Sequence, residues 1–334
     1  MPRVEELRLI TRVARLYYQQ ELRQSEIAEL LGMSQASISR LLNSARSEGV
    51  VRISVNVPSG VYSDLEEQLT ARYQLKEAIV VDCASSGAED DDLMLQRDIG
   101  AAAAYYVETT IKNNEVVGIS SWSSTLLAVV DAMHQVPGKT GIQVVQILGG
   151  IGNPSAEVHA NRLTGRFASL VNGMAYFLSA PGIVGSEAAL RVLMEEAYVR
   201  ETMDRFEQVT MALVGIGAIE PSKLLSLSGN VFTQDEQDML RQSGAVGDIL
   251  LRFFDAAGCL VSSPLRKRVV SMSLQQLRKA QRAIAVAGGW RKYEAIRAAL
   301  RGGWINVLVT DRCTAEQLVS EAVLPAESVP ISPG

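Results

Sequence analysis

The spacing of apolar residues along the chain changes close to Pro58. Before this point, apolar residues recur every three or four positions, which is the period of an amphipathic helix. After it, short apolar runs alternate with stretches of helical period. We therefore predict two domains, a helical one over residues 1–57 and a larger one over residues 58–334.

The smaller domain is predicted to contain three helices followed by a short β segment. The first two helices are expected over 4–20 and 25–31, and Gly32 suits the left-handed position that ends a helix. Ser34 can cap a third helix, because a serine hydroxyl accepts a backbone N–H of the first turn. The run VVRISVNV, residues 50–57, reads as a wing-like β element after these helices.

The second and third predicted helices have the spacing of a helix-turn-helix, whose last helix enters the major groove of DNA. No acidic residue occurs from Ser34 to Arg46, whereas helices in a plain bundle, the alternative interpretation, usually mix both charges on their solvent face. Arginine can pair with guanine and glutamine with adenine. The predicted DNA-binding residues are Ser34, Gln35, Ala36, Ser37, Arg40, Asn43 and Ser44, with Arg46 and Arg52 placed for phosphates.

The larger domain is predicted to be an α/β domain. Short apolar strands are separated by segments long enough for helices, which favours a parallel sheet with helices on both faces, a Rossmann-like, doubly wound arrangement. The predicted strands are 78–81, 116–119, 143–148, 175–178, 209–216, 283–287 and 305–310.

Charge is distributed unevenly between the two predicted domains. The formal net charge of the chain is −5, but residues 1–57 contain eight Arg, no Lys and six Glu, which makes this part mildly basic. A basic head on an acidic body indicates that only the head meets a polyanion such as DNA.

Cysteine and histidine are sparse. The three cysteines, Cys83, Cys259 and Cys313, are far apart in sequence, and the chain has only two histidines. This favours reduced, packed thiols and argues against a zinc site or a Cys–His nucleophile, so we predict no metal and no bound cofactor. The N-terminus lacks the apolar core of a signal peptide, and we expect a cytoplasmic protein.

A cluster of hydroxyl groups follows the strand predicted over 116–119. Hydroxyls and backbone N–H groups at the start of a helix can bind an anion, although helix capping alone would need only one hydroxyl. The cluster consists of Ser120, Ser121, Ser123, Ser124 and Thr125.

Three other turns carry candidate ligand-binding residues. Lys292 follows the strand predicted over 283–287, where a cation would suit a bound anion, or would simply point into solvent. Asp248 could hold sugar hydroxyls or cap a helix. Gly149 and Gly150 follow a strand at the edge where open α/β sheets bind ligands, but a turn that needs glycine would explain them equally well.

The whole chain resembles the SorC family of bacterial transcriptional regulators. The resemblance begins with LYYQQELRQSEIAELLGMSQASISRLLNSARSEGVVRI and continues through GISSWSSTL, QILGGIG, GAVGDILLRFFDAAG and AVAGGWRKYEAIRAALRGGWINVLVTD. It implies an effector domain related to sugar-phosphate isomerases, a homotetramer, and operator binding controlled by a phosphorylated sugar. Lys292 matches the family's effector-binding lysine, whereas Ser123 stands where the family usually has glycine.

These observations predict a DNA-binding regulator of carbohydrate or polyol catabolism genes rather than an enzyme. Its expected partners are a palindromic operator, a phosphorylated sugar or polyol, and further copies of the chain in a dimer or tetramer. The alternative is a sugar-phosphate isomerase-like enzyme, with Asp248 or Glu157 as base or Lys292 as a Schiff-base amine. The sequence shows no complete acid–base set for that chemistry. A purely architectural DNA protein is the third possibility, and the hydroxyl cluster and Lys292 argue against it.

Overall fold

The computed structural model describes residues 2–51, 58, 60–83, 89–230 and 233–321. The chain divides into two compact units, with the boundary directly after Pro58. Within the described residues, no helix combines the length and the apolar character needed to cross a membrane.

The smaller unit contains three helices, α1 (Pro2–Tyr18), α2 (Gln24–Leu31) and α3 (Gln35–Ser47). Gly32 ends α2 in the left-handed conformation, with φ of 61°, and the hydroxyl of Ser34 accepts the N–H of Ser37 to begin α3. The three helices share an apolar core that includes Val13, Leu16, Ile27, Ala28, Ile38 and Leu42. The prediction of three helices is confirmed. The β segment predicted over 50–57, including Arg52, lies largely outside the described residues.

The larger unit alternates strands and helices. Its strands are β1 (Glu77–Val81), β2 (Val116–Ile119), β3 (Gln143–Gln146), β4 (Met174–Tyr176), β5 (Met211–Val214), β6 (Gly217–Ala218), β7 (Ala245–Ile249), β8 (Arg252–Asp255), β9 (Arg282–Val286) and β10 (Val307–Asp311). Its helices are α4 (Ser63–Tyr73), α5 (Glu89–Thr110), α6 (Ser124–Ala132), α7 (Pro154–Leu170), α8 (Glu187–Glu195), α9 (Ala197–Asp204), α10 (Lys223–Ser228), α11 (Gln234–Gln242), α12 (Leu274–Lys279), α13 (Tyr293–Arg301) and α14 (Arg312–Ser320).

Seven of these strands form one parallel sheet in the order β1-β10-β9-β5-β2-β3-β4. Alternate residues of each strand point to opposite faces, so Val117 and Ile119 pack with α5, α6 and α7, whereas Val116 packs on the other side. Helices α4, α13 and α14 contribute to that other core. The predicted α/β domain with a parallel sheet covered on both faces is confirmed.

A second, three-stranded antiparallel sheet, β6-β7-β8, stands beside the parallel one. The sequence pattern gives no signal for this sheet, because its strands are short and the segment GDILLRFFD fits a strand or a helix equally well. Leu250 and Leu251 form the turn between β7 and β8, and both have positive φ, 57° and 60°. Such turns normally use asparagine and glycine, which explains why leucine gave no turn signal.

The prediction of separate, reduced cysteines is wrong for two of the three. Cys83 and Cys313 are joined by a disulfide bond, while Cys259 is free and half-buried. The cause is strand pairing over a long sequence separation. β1 and β10 are neighbours, and Val81 lies beside Asp311, so each cysteine comes two residues along the chain after this pair.

Candidate functional site

In the centre of the parallel sheet, between β2 and β5, the direction in which successive strands are added to the sheet reverses. β2 and β5 are neighbours, but the next strand of this sheet along the chain after β2 is β3, on one side, whereas the next one after β5 is β9, on the other side. Open α/β sheets bind ligands in the crevice that forms outside the carboxyl ends of such strands. The turns that follow β2 and β5, at Ser120–Ser123 and Gly215–Ile216, lie at this point.

The hydroxyl cluster after β2 divides into two groups. Ser121 is fully buried and its hydroxyl donates to the carbonyl of Leu148 at 2.6 Å, while Ser123 Oγ accepts the N–H of Leu126 and caps α6. These two hydroxyls serve the fold. For the other members of the cluster, Ser120, Ser124 and Thr125, the described residues provide no hydrogen-bond partner to the hydroxyl group. Their hydroxyls are therefore the ones in the cluster that the fold itself does not use.

Gly149 and Gly150 are required by packing. A Cβ at Gly149 would lie 2.3 Å from the carbonyl oxygen of Pro181, and one at Gly150 would lie 2.5 Å from the amide nitrogen of Gln146. The N–H of Gly149 donates to Val270 at 2.9 Å, and its carbonyl accepts the indole N–H of Trp122 at 2.8 Å. The structure thus supports the interpretation of a turn that needs glycine, and Trp122 links this turn to the hydroxyl cluster.

Asp248 lies on β7 directly opposite Gly217 of β6, and only 9% of it is exposed. A Cβ at Gly217 would lie 2.1 Å from Asp248 Oδ1, so glycine makes room for the carboxylate. Its other oxygen accepts the N–H of Leu251 at 2.8 Å. Burial raises the pKa of Asp248 to about 6, although the Leu251 N–H and the charge of Lys292 act in the opposite direction.

Lys292 ends a short 3₁₀ turn, Trp290–Lys292, that leads from β9 into α13. Burial lowers the pKa of its ammonium group, and the charge of Arg291 acts in the same direction, while Asp248 and Asp92 raise it. Lys292 and Asp248 therefore attract each other across the site. Of the ion pairs that join described residues, none connects these two groups directly.

Asp311, which the sequence analysis missed, holds the turn before Lys292 in place. The residue is 1% exposed, and its Oδ2 accepts the N–H of Gly289 at 2.7 Å. Its Oδ1 accepts the N–H of Thr314 at 2.9 Å and so caps α14. An aspartate directly after the apolar run INVLVT was the available signal, since a carboxylate at the end of a buried strand needs several donors.

The α3 helix presents the residues predicted to contact DNA. Ile38, Leu42 and Ala45 are buried, so the opposite side of the helix faces solvent. Ser34, Gln35, Ala36, Arg40, Asn43 and Arg46 are exposed, and Ser37 and Ser44 are half-buried. Arg40 lies 3.4 Å from the Ser37 hydroxyl, and Arg46 donates to Asn43 at 2.7 Å. These contacts hold both guanidinium groups along a helix that itself contains no acidic residue.

Comparison with known proteins identifies relatives over nearly the whole chain. Residues 59–320 match the family model described as "Putative sugar-binding domain". The deoxyribonucleoside regulator of Bacillus subtilis is 33% identical and covers 95% of this chain and 99% of its own length. The sorbitol operon regulator of Klebsiella pneumoniae is 30% identical and covers 96% and 100%.

The crystal structure of the full-length sorbitol operon regulator SorC from Klebsiella pneumoniae superposes with a TM-score of 0.70 at 30% identity, covering 95% of this chain and all of that one. The family model covers most of the larger unit, and the relatives span both units. The chain therefore belongs to the SorC family of transcriptional regulators with a sugar-binding domain.

Proposed function

We propose that the chain is a regulator whose first 57 residues bind operator DNA and whose remaining residues bind a phosphorylated sugar or polyol that controls this binding. The observation that carries the proposal is that Asp248, on β7, and Lys292, in the turn before α13, lie close enough for each charge to act on the pKa of the other, while no ion pair among the described residues joins them. A buried carboxylate and a half-buried ammonium group at one site suit a ligand that carries both hydroxyl and phosphate groups.

In the smaller unit, α2 and α3 act as a helix-turn-helix with α3 as the recognition helix. The left-handed Gly32 and the capped Ser34 make the short turn that this motif requires. Arg40, Gln35 and Asn43 read bases, whereas Arg46 and Arg52 contact phosphates.

In the larger unit, Lys292 and the free hydroxyls of Ser120, Ser124 and Thr125 bind the phosphate group. Asp248 accepts hydrogen bonds from the sugar or polyol hydroxyls, since a carboxylate has only acceptor oxygens when ionised. Ser121, Ser123, Gly149 and Gly150 shape the turns and touch the ligand little or not at all, because their polar groups and space are already used within the protein.

The names of the relatives narrow the ligand class. One regulates a sorbitol operon and another is named for deoxyribonucleosides. Phosphorylated products of such compounds, a hexitol phosphate or a deoxyribose phosphate, are small polyhydroxylated anions that fit the mixed charge of this site. We place the effector in that class.

Control of DNA binding requires more than one copy of the chain. A two-fold operator is read by two α3 helices at a fixed spacing, so the regulator acts as a dimer or tetramer in the cytoplasm. The effector changes operator affinity by binding one quaternary arrangement more tightly than another.

Fluorescence anisotropy tests the proposal directly. The full chain is titrated onto labelled DNA from upstream of its own gene, with and without sorbitol 6-phosphate, deoxyribose 5-phosphate and glucose 6-phosphate. We expect tight binding that resists competitor DNA and that one phosphate shifts severalfold. Lys292→Met removes this response and keeps DNA binding, while the exposed lysine control Lys112→Met, located before β2, keeps both.

Two results would overturn the proposal. Binding that is weak and equal on unrelated DNA would remove the smaller unit as an operator reader. An unchanged response in Lys292→Met would remove Lys292 from the site. Deuterium exchange from solvent into an added sugar phosphate would instead favour the isomerase-like alternative, for which Asp248 would be the base.

A further inference from the structure

Cys83 and Cys313 are held together by the register of two neighbouring strands. β1 and β10 pair in parallel with Val81 beside Asp311, and each cysteine follows this pair. Their Cα atoms are 5.7 Å apart and their sulfur atoms are bonded. Because the sheet fixes both positions, the two sulfur atoms stay within reach of each other when the bond is reduced.

The surroundings of the two sulfur atoms suit reactive thiols. Arg312 Nη2 lies 3.5 Å from Cys83 Sγ, and a guanidinium group beside a sulfur stabilises the thiolate, which is the nucleophilic form. The same guanidinium lies 3.9 Å from the carboxylates of Asp82 and Glu316, so its charge is only partly shared. Cys313 lies in the first turn of α14 and is exposed, whereas Cys83 is half-buried.

We propose that Cys83 and Cys313 form a reversible redox site that exchanges with small-molecule disulfides such as oxidised glutathione. The inference rests on the sheet register and on the groups around the sulfur atoms, and it is independent of the proposed regulatory function.

The reaction proceeds in two exchange steps. The exposed Cys313 thiolate attacks one sulfur of the small disulfide, whose S–S bond breaks, and one small thiolate leaves with the electron pair. The Cys83 thiolate, stabilised by Arg312, then attacks Cys313 Sγ and releases the second small thiolate. Two protein thiols are oxidised, one disulfide is reduced to two thiols, and the two protons lost by the cysteines pass to the released thiolates.

The oxidised site restrains one end of the larger unit. The bond ties the segment after β1 to α14 across a sequence separation of 230 residues. α14 is capped by Asp311, which also holds the N–H of Gly289 in the turn before Lys292. Oxidation therefore fixes the helix whose capping residue positions that turn.

The test uses the full-length chain equilibrated without oxygen in glutathione buffers of increasing oxidised fraction. Free thiols are blocked with N-ethylmaleimide, and intact mass and peptide mapping follow. We expect two of the three thiols to become protected together, with a peptide linking Cys83 to Cys313. Dithiothreitol should reverse this protection. Cys259→Ser serves as the matched control and should form the same link.

The proposal is overturned if all thiols remain open to the reagent at the most oxidising ratio, or if protection consists only of glutathione adducts. The role of the guanidinium has its own readout. Arg312→Gln should slow formation of the link about tenfold, and Arg312→Lys, which keeps the charge, should restore most of the rate. Equal rates in the three proteins would show that Arg312 plays no part in the exchange.

Discussion

The carboxylate of Asp248 accepts the backbone N–H of Leu251 at 2.8 Å, so a residue of the candidate effector site also holds a left-handed turn. Leu250 and Leu251 have φ of 57° and 60°, a conformation that costs a residue with a side chain about 1–2 kcal/mol. The Ser271 hydroxyl supports the same turn by donating to the carbonyl of Leu250 at 2.9 Å. A ligand that competes for the Asp248 carboxylate would therefore act on a strained element.

The pH dependence of stability should report the burial of Asp248. Its pKa is raised from 3.8 to about 6 in the folded state, so the folded protein holds this proton more tightly than the unfolded chain does. The stabilisation is fully present below the unfolded pKa and is lost as pH rises through about 6. The expected loss is roughly 3 kcal/mol at most. Asp248→Asn keeps an acceptor for Leu251 and removes the titration.

Urea unfolding of both proteins at pH 4 and pH 7 measures this effect. The free energy of unfolding of Asp248→Asn minus that of wild type should increase from pH 4 to pH 7, because only wild type loses stability as its carboxyl group ionises. The exposed control Asp98→Asn should show no such trend relative to wild type. Parallel pH profiles for wild type and Asp248→Asn would show that the carboxyl group titrates in its ordinary range.

Because the turn is strained, we expect glycine to be more stable than alanine when either replaces Leu251. The side chain is 4% exposed, so Leu251→Ala and Leu251→Gly both lose buried area and leave a cavity, at a cost of about 2–5 kcal/mol. Only glycine also relieves the left-handed strain. Leu251→Gly should therefore be about 1 kcal/mol more stable than Leu251→Ala, the reverse of the order in a helix. Chemical denaturation would measure the difference, and a more stable alanine variant would contradict the assigned turn.

Gly149 should tolerate no side chain. A Cβ there would lie 2.3 Å from the carbonyl of Pro181, so Gly149→Ala forces the backbone of two turns apart and should cost more than 2 kcal/mol. Gly185 has an ordinary φ and open space around its Cβ position, and Gly185→Ala should be neutral or slightly stabilising. The melting temperatures of the two variants distinguish a steric clash at Gly149 from a general effect of replacing glycine by alanine. Equal melting temperatures would contradict the packing role.

Local patterns in the sequence predicted the helices and parallel strands well, because their signals are local. Gly32 marks the end of α2 because glycine adopts the left-handed conformation, and Ser34 marks the start of α3 because its hydroxyl caps the helix. Apolar runs such as VVGI mark buried strands. What the pattern could not provide is contact between distant segments. The Cys83–Cys313 bond depends on β1 pairing with β10, and the anchoring of Gly289 depends on Asp311.

At the candidate site, too, the sequence could not show which side chains contact each other. The hydroxyl cluster was visible as a run of serines, yet only the structure shows that Ser121 and Ser123 are already bonded within the protein. Resemblance to a family indicated Lys292 as an effector-binding residue and Asp248 was a candidate by its chemistry, and in the structure each of the two charges acts on the pKa of the other. The number of hydroxyls in a turn therefore overstates the number that can meet a ligand.

The exposed face of α3 predicts two kinds of DNA-binding defect. Arg40→Ala should relax sequence preference, at a cost of about 1–3 kcal/mol on the specific site and little on unrelated DNA, because base contacts carry the specificity. Arg46→Ala should weaken binding on all sequences and reduce the salt dependence of affinity by about one counterion, because phosphate contacts carry no sequence information.

Arg15→Ala, on the exposed side of α1, is the matched control and should change neither property. Anisotropy titrations over a range of salt concentrations, on operator and on scrambled DNA, separate the three outcomes. If Arg40→Ala lost affinity equally on both DNAs, Arg40 would be a phosphate contact, and the base-reading face of α3 would lie elsewhere along the helix.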